Sequence, residues 1–116
     1  KYPASLIVNT QNSNEPGEHW LSLYYDHIGN CEFFDSYGMH PRFYQLDTYL
    51  NKTSKRYSFN SKQLQGYNSN YCGFYSLLFL YFRCRGYKLT KFLNLFSKIK
   101  DIDFLIKKLV NFIIKY

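Results

Sequence analysis

The sequence predicts an α+β domain, and three observations carry that expectation. The first part of the chain sets short β-rich runs between turn-forming loops, the last part reads as helices, and the two patterns meet at Cys72. Runs of strands followed by runs of helices, without strict alternation, point to a central antiparallel or mixed sheet with helices packed against it. At 116 residues the chain is expected to form a single domain, 1–116, around one core. It opens at Lys1 with a strand-like run close behind, so it is expected to lack an N-terminal segment.

Taken in order, "ASLIVN" (4–9) predicts a short buried strand, and "TQNSNEPG" (10–17), with Pro16 and Gly17, a loop. "EHWLSLYYD" (18–26) and "CEFFDSYG" (31–38) flank "HIGN" and read as a hairpin. Register matters here. A three-residue loop, His27-Ile28-Gly29, places Gly29 where a left-handed residue is wanted and pairs Asp26 with Asn30. His19 then lies opposite Tyr37, and Asp35 shares the face of His19 one diagonal away; a slip of one residue sends Asp35 to the other face. Pro41 opens a short helix in which Phe43, Leu46, Tyr49 and Leu50 are expected to face inward. "YSFNSKQLQ" (57–65) predicts a further strand ending near Gln65.

From Cys72 to Arg83 the chain is apolar on nearly every face, the pattern of a helix buried among other elements, with Gly86 as its stop. Thr90 is expected to cap a helix over 91–97, and Asp101 the last helix. There Ile102, Leu105, Ile106, Leu109, Val110 and Ile113 form an amphipathic stripe.

Charge is unevenly placed. Residues 1–80 carry six Lys/Arg and six Asp/Glu, whereas 81–116 carry nine against two, so the whole formal charge of +7 sits in the C-terminal third. Such a third suits DNA, an acidic partner or an activating peptide, although a solvated lysine face on amphipathic helices explains it as well. Cys31, Cys72 and Cys84 are widely spaced and form no C-x-x-C pair, which argues against a disulfide framework and a zinc site and for a reducing, intracellular setting. No cofactor is expected. The apolar runs fall short of the roughly 20 residues of a membrane span, so no membrane partner is expected.

The chemistry centres on Cys72. A cysteine in the first turn of a helix lies near unpaired backbone N–H groups and the positive end of the helix dipole, which favour the thiolate. His19 is the best-placed base, because the partner strand offers Asp35, flanked by apolar residues in "FFDS", to orient it. The backbone N–H of Cys72 and the side-chain amide of Gln65 supply donors for a developing oxyanion. Among the rivals, Cys31 faces a predicted core, Cys84 lies at the wrong end of the helix, His27 is a turn residue, and His40 in "YGMHP" is the one realistic alternative base. Ser36 lacks the surroundings of a nucleophilic serine.

The set "EHW", an acid sixteen residues on in "FFDSYG", and "LQGYNSNYCGF" with Gln65 seven residues before Cys72 resembles the adenovirus maturation protease and the related SUMO proteases, and also the proteases of Maverick/Polinton elements. The likeness covers residues 4 to about 82. It implies a papain-like cysteine protease fold with a buried helix starting at the nucleophile, and it implies His19 as base, Asp35 as its orienter, Gln65 in the oxyanion hole and Cys72 as nucleophile. Trp20 would lie beside the cleft as a substrate-binding residue, though it serves equally as a core tryptophan. The acid is aspartate, as in the SUMO proteases, where the adenovirus enzyme has glutamate. The adenovirus enzyme anchors its activating peptide through a cysteine upstream of the glutamine; this chain has none between Cys31 and Cys72.

The expected function is a cysteine endopeptidase acting at glycine-containing sites in a viral or transposon structural precursor. A deconjugating protease for a ubiquitin-like modifier, and an inactive or nucleic-acid-binding basic module, are the alternatives.

Overall fold

A computed structural model describes residues 2–10, 19–66 and 71–114. The sheet runs in the order β1 (Ala4–Asn9), β2 (Trp20–Tyr25), β3 (Cys31–Phe34), β4 (Tyr57–Phe59), antiparallel across the first two junctions and parallel across the last. The domain is therefore α+β with a mixed sheet. Helices α1 (Asp47–Thr53), α2 (Cys72–Arg83), α3 (Leu89–Asn94) and α4 (Ile102–Ile114) complete it.

The β2–β3 hairpin has the register its loop predicts. Tyr25 pairs with Cys31 and Ser22 with Phe34, while the Asp26 amide donates to the Asn30 carbonyl at 2.9 Å. Gly29 adopts φ +92°, a conformation that glycine enters without steric cost, and the Asp26 carboxylate accepts from the amides of Ile28 and Asn30 to close the loop.

Alternation along the two strands splits the core. Leu21, Leu23 and Tyr25 join Cys31, Phe33 and Leu50 on one face. On the other, Phe34 meets Leu64, Tyr75, Leu78, Phe79, Phe92, Phe96, Ile106 and Val110, so α2, α3 and α4 are seated on that side. Phe34 stacks on Phe79 and meets Phe92 edge-on, geometries that add to area burial.

Several expectations change. The predicted buried strand at 4–9 is a strand but an exposed one, because it forms the edge of the sheet and contributes only Ala4 and Val8 to the core. The single helix from Pro41 is instead a 3-10 turn, Pro41–Tyr44, and then α1, separated by Gln45 in the left-handed conformation at φ +61°. That break rotates Phe43, 64 % exposed, and Tyr49 out of the core and leaves Leu50 as the buried anchor. The strand expected at 57–65 stops at Phe59, since Asn60 turns its side chain onto the β3 end. Thr90 lies inside α3, which Lys88 precedes in extended conformation. Asp101 does cap α4, accepting from the Phe104 amide at 3.1 Å, and Gly86 ends the α2 turn at φ +91°. The predicted loop at 10–17 falls almost wholly outside the described residues, as does the stretch 67–70.

In the last third, Arg85 lies over Tyr81, Lys91 over Tyr87 and Lys108 over Phe104. All three are four-residue spacings, so interleaved basic and aromatic residues pair along their own segments. Among the described residues no helix is long and apolar enough to cross a membrane.

Candidate active site

The site assembles where β2 begins, β3 ends and α2 begins. After Phe34 the chain turns through Asp35-Ser36-Tyr37-Gly38, with the Gly38 amide donating to the Asp35 carbonyl at 2.8 Å. Gly38 sits at φ +72°, and a Cβ there would lie 2.7 Å from the Lys62 backbone. Only glycine permits this close approach, which presses the turn against the 61–62 segment.

Asp35 is fully buried, and its charge is met by four donors. Its Oδ1 accepts from His19 Nε2 at 2.7 Å and from the Tyr37 amide at 3.0 Å. Oδ2 accepts from the Tyr44 hydroxyl at 2.6 Å and from the Met39 amide at 3.1 Å. Such saturation makes a buried carboxylate tenable. Asn60, itself buried, clamps the Asp35 backbone by accepting from its N–H at 2.9 Å and donating to its carbonyl at 2.6 Å. Burial, followed by the neighbouring Asp35, pushes the Tyr44 hydroxyl pKa upward, which keeps it a donor.

The β2–β3 pairing ends at Ser22–Phe34, and beyond it His19 meets Tyr37 through their rings, stacked at 4.7 Å between centroids, with Tyr44 also stacked on the imidazole at 5.7 Å. Nε2 is committed to Asp35, which fixes the ring and its tautomer. Cys72 is the second side chain that acts on the imidazole. Burial opposes its protonation, yet the Asp35 and Cys72 partners outweigh burial and raise its pKa from 6.5 to about 9.

Cys72 occupies the first turn of α2 and is buried. Burial pushes its thiol up; the bond to His19, backbone hydrogen bonds from Trp20 and Gly73 and the charge of His19 together bring it below its ordinary 9.0. The imidazole moves up and the thiol down, the directions in which two groups that favour each other's charged form move. Trp20 is held by its backbone, whose carbonyl accepts from Ser76 Oγ at 3.1 Å. Its indole lies against the α2 start, with Cδ1 3.7 Å from where a Gly73 Cβ would be.

Gln65 enters from the 60–66 segment and is 1 % exposed. Gln65 lies beyond the strand end at Phe59, in the segment that follows β4. Its Oε1 accepts from Ser36 Oγ at 2.5 Å, and the Ser36 carbonyl accepts from the amides of Leu64 and Gln65 at 2.8 and 3.0 Å. Behind this segment α4 contributes Asp103, whose carboxylate accepts from the Gly66 amide at 3.2 Å and from the Tyr75 hydroxyl at 2.5 Å.

His19, Asp35 and Cys72 thus converge, and Gln65 is tied to the residue next to Asp35. The rivals lie elsewhere. His40 caps the 3-10 turn, its Nδ1 accepting from the Arg42 amide, and packs on Phe59. His27 is exposed in the hairpin loop. Cys31 is buried in the opposite core face with its thiol pushed up to about 12 by that burial, and Cys84 is exposed at the far end of α2. Sequence reasoning missed Tyr44, Asn60, Ser36 in its contact with Gln65, and Asp103. Each acts across 9 to 37 residues of chain, and the one local hint was the "DSYG" turn itself.

A comparison with curated proteins gives no match. A family model described as adenovirus endoprotease matches residues 1–106, and the chain belongs to that family.

Proposed function

We propose that the chain is a cysteine endopeptidase in which Cys72 is the nucleophile, His19 the general base and acid, Asp35 the residue that orients His19, and Gln65 an oxyanion donor. The observation that carries the reading is the Asp35–His19–Cys72 chain, in which the imidazole is raised and the thiol lowered in pKa. In the first step the Cys72 thiolate attacks the scissile carbonyl carbon, and the carbonyl π electrons move to oxygen. That oxyanion is met by the Cys72 backbone N–H and the Gln65 amide, donors already fixed before charge develops. The imidazolium gives its proton to the leaving nitrogen, the C–N bond breaks, and a thioester remains. Water then attacks the thioester carbonyl as His19 takes its proton, and the thiolate departs with the acid product released. Asp35 keeps its charge throughout and holds Nε2–H, which leaves the other ring nitrogen facing sulfur.

The substrate reading is cleavage at glycine-containing sites of a viral or transposon structural precursor. Its support is steric: the Trp20 indole lies against the start of α2 and Tyr37 stacks on His19, and a chain without Cβ atoms enters a site crowded by aromatic rings most closely.

A glycine-terminated peptide bearing a vinyl ester electrophile tests the reading. Mass mapping is expected to find it on Cys72, with no adduct in Cys72→Ala or His19→Ala. Labelling on Cys84, or equal labelling of the His19→Ala protein, would overturn it.

A further inference from the structure

Pairing between β3 and β4 ends at Phe33–Phe59, short of Asp35. Past that point the two backbones part, and the peptide groups of the buried Asp35 need other partners. Asn60, the first residue beyond β4, meets both of them. Its Oδ1 accepts from the Asp35 amide at 2.9 Å, and its Nδ2 donates to the Asp35 carbonyl at 2.6 Å and to the Lys62 carbonyl at 3.3 Å. One N–H and two carbonyls allow the side-chain amide a single orientation, with oxygen on the first and nitrogen on the other two. Asn60 thus does for Asp35 what a neighbouring strand does for the residue it pairs with. An apolar side chain of the same size offers neither group.

We infer that Asn60 is a positioning residue for the peptidase reaction: it stands in for a strand partner at Asp35 and so fixes the backbone from which the carboxylate reaches His19. Asn60 is itself buried, so these bonds are not open to exchange with water. Of the four donors that hold the Asp35 carboxylate, two are the amides of Tyr37 and Met39, in the chain that directly follows Asp35 and moves with it. The Asp35–Gly38 turn is gripped at both ends by one short segment. Asn60 holds its entry, and the Lys62 backbone lies where a Cβ at Gly38 would stand, at its exit. The Lys62 carbonyl bonded to Asn60 belongs to that same contact, so entry and exit are tied to each other.

The inference rests on the peptidase reading, and its test separates the two. With a fluorogenic peptide carrying Gly-Gly at the cleavage point, Asn60→Leu is expected to lower kcat about 10-fold with KM nearly unchanged, well short of the roughly 10⁴ that a lost orienting acid costs. The His19 titration followed by NMR should move down from about 9 toward 6.5. The groups that set it are Asp35 and Cys72, with the rings of Tyr37 and Tyr44 stacked on the imidazole; Asn60 is uncharged, so the shift reports a displaced Asp35. In an Asp35→Ala background Asn60→Leu should lower kcat no further, since no carboxylate remains to place. Asn60→Ala, whose vacated volume admits water to the Asp35 backbone, covers the case in which Asn60→Leu folds poorly and is expected to fall between it and the parent. Parent kcat in both variants, a His19 midpoint unmoved in both, or an equal loss of kcat with and without the Asp35 carboxylate would each overturn the inference. Activity that survives Cys72→Ala would instead overturn the peptidase reading.

Discussion

Cys31 at the hairpin and Cys72 at the head of α2 are both buried, at 1 % and 6 % exposure, yet their thiols move in opposite directions. Cys31 sits among Leu21, Leu23, Tyr25, Phe33 and Leu50, and desolvation pushes it up to about 12 despite a hydrogen bond from Tyr25. Cys72 carries a desolvation cost as well, but His19 and the amides of Trp20 and Gly73 overcome it. Burial alone therefore makes a thiol inert. A buried thiol becomes reactive when a base and oriented N–H groups are buried with it.

The largest expected effect follows from removing the base. His19→Ala should lower kcat by roughly 10³ or more and return the Cys72 alkylation profile toward an ordinary or raised thiol, which would make Cys72 resemble Cys31. A Cys72 profile unmoved by His19→Ala would break the comparison.

Next in size is Gln65→Ala, with an expected fall in kcat of roughly 10²–10³. Because Gln65 is buried and bonded to Ser36, the substitution should also cost about 1–3 kcal/mol by leaving that hydroxyl unpaired, read as a lower Tm. A drop in kcat with no change in Tm would mean the Ser36 contact contributes nothing to the fold.

Asp103→Ala sharpens the contrast from a distance. It releases the Gly66 amide and the buried Tyr75 hydroxyl, loosening the segment that carries Gln65 while leaving the Cys72–His19 pair untouched. Cleavage should fall roughly 10-fold, well short of losing the donor, with Cys72 alkylation unchanged. At the small end, Cys31→Ala should leave cleavage unaltered, as measured by kcat/KM on the same peptide.

The pair also has a pH signature. His19 is raised above its unfolded 6.5, so its stabilisation is complete below pH 6.5 and is lost as pH rises through about 9. Cys72 is lowered below 9.0, so its contribution is present above pH 9.0 and is lost as pH falls through the lowered value. Cleavage should accordingly rise with pH through the Cys72 ionisation and decline near pH 9. In Cys72→Ala the His19 titration followed by NMR should shift downward, because Cys72 is one of the groups that raises it.

Much of this site was legible in the sequence, for local reasons. Loop length and Gly29 set the hairpin register, and register alone put Asp35 on the His19 side. The change from strand to helix at Cys72 marked the thiol position, and the helix runs over the expected Cys72–Arg83. What stayed hidden depends on contacts between distant segments. An apolar run such as "ASLIVN" fits an edge strand as well as a buried one, and only the sheet order distinguishes them. The left-handed Gln45 that splits the 41–53 region has no signal in an amphipathic pattern. Asn60, Tyr44, Ser36 and Asp103 are ordinary polar residues until the fold brings them to Asp35 and Gln65.

Competitive alkylation of the native chain between pH 5 and 9, with peptide mapping of Cys31, Cys72 and Cys84, tests the central claim most directly. The account expects Cys72 to react first, at pH 6 roughly 10-fold or more ahead of the exposed Cys84, since a free thiol of pKa about 8.5 is almost wholly protonated there. Cys31 should stay unmodified until the fold is lost. Preferential modification of Cys84 at pH 6, with Cys72 silent like Cys31, would contradict it.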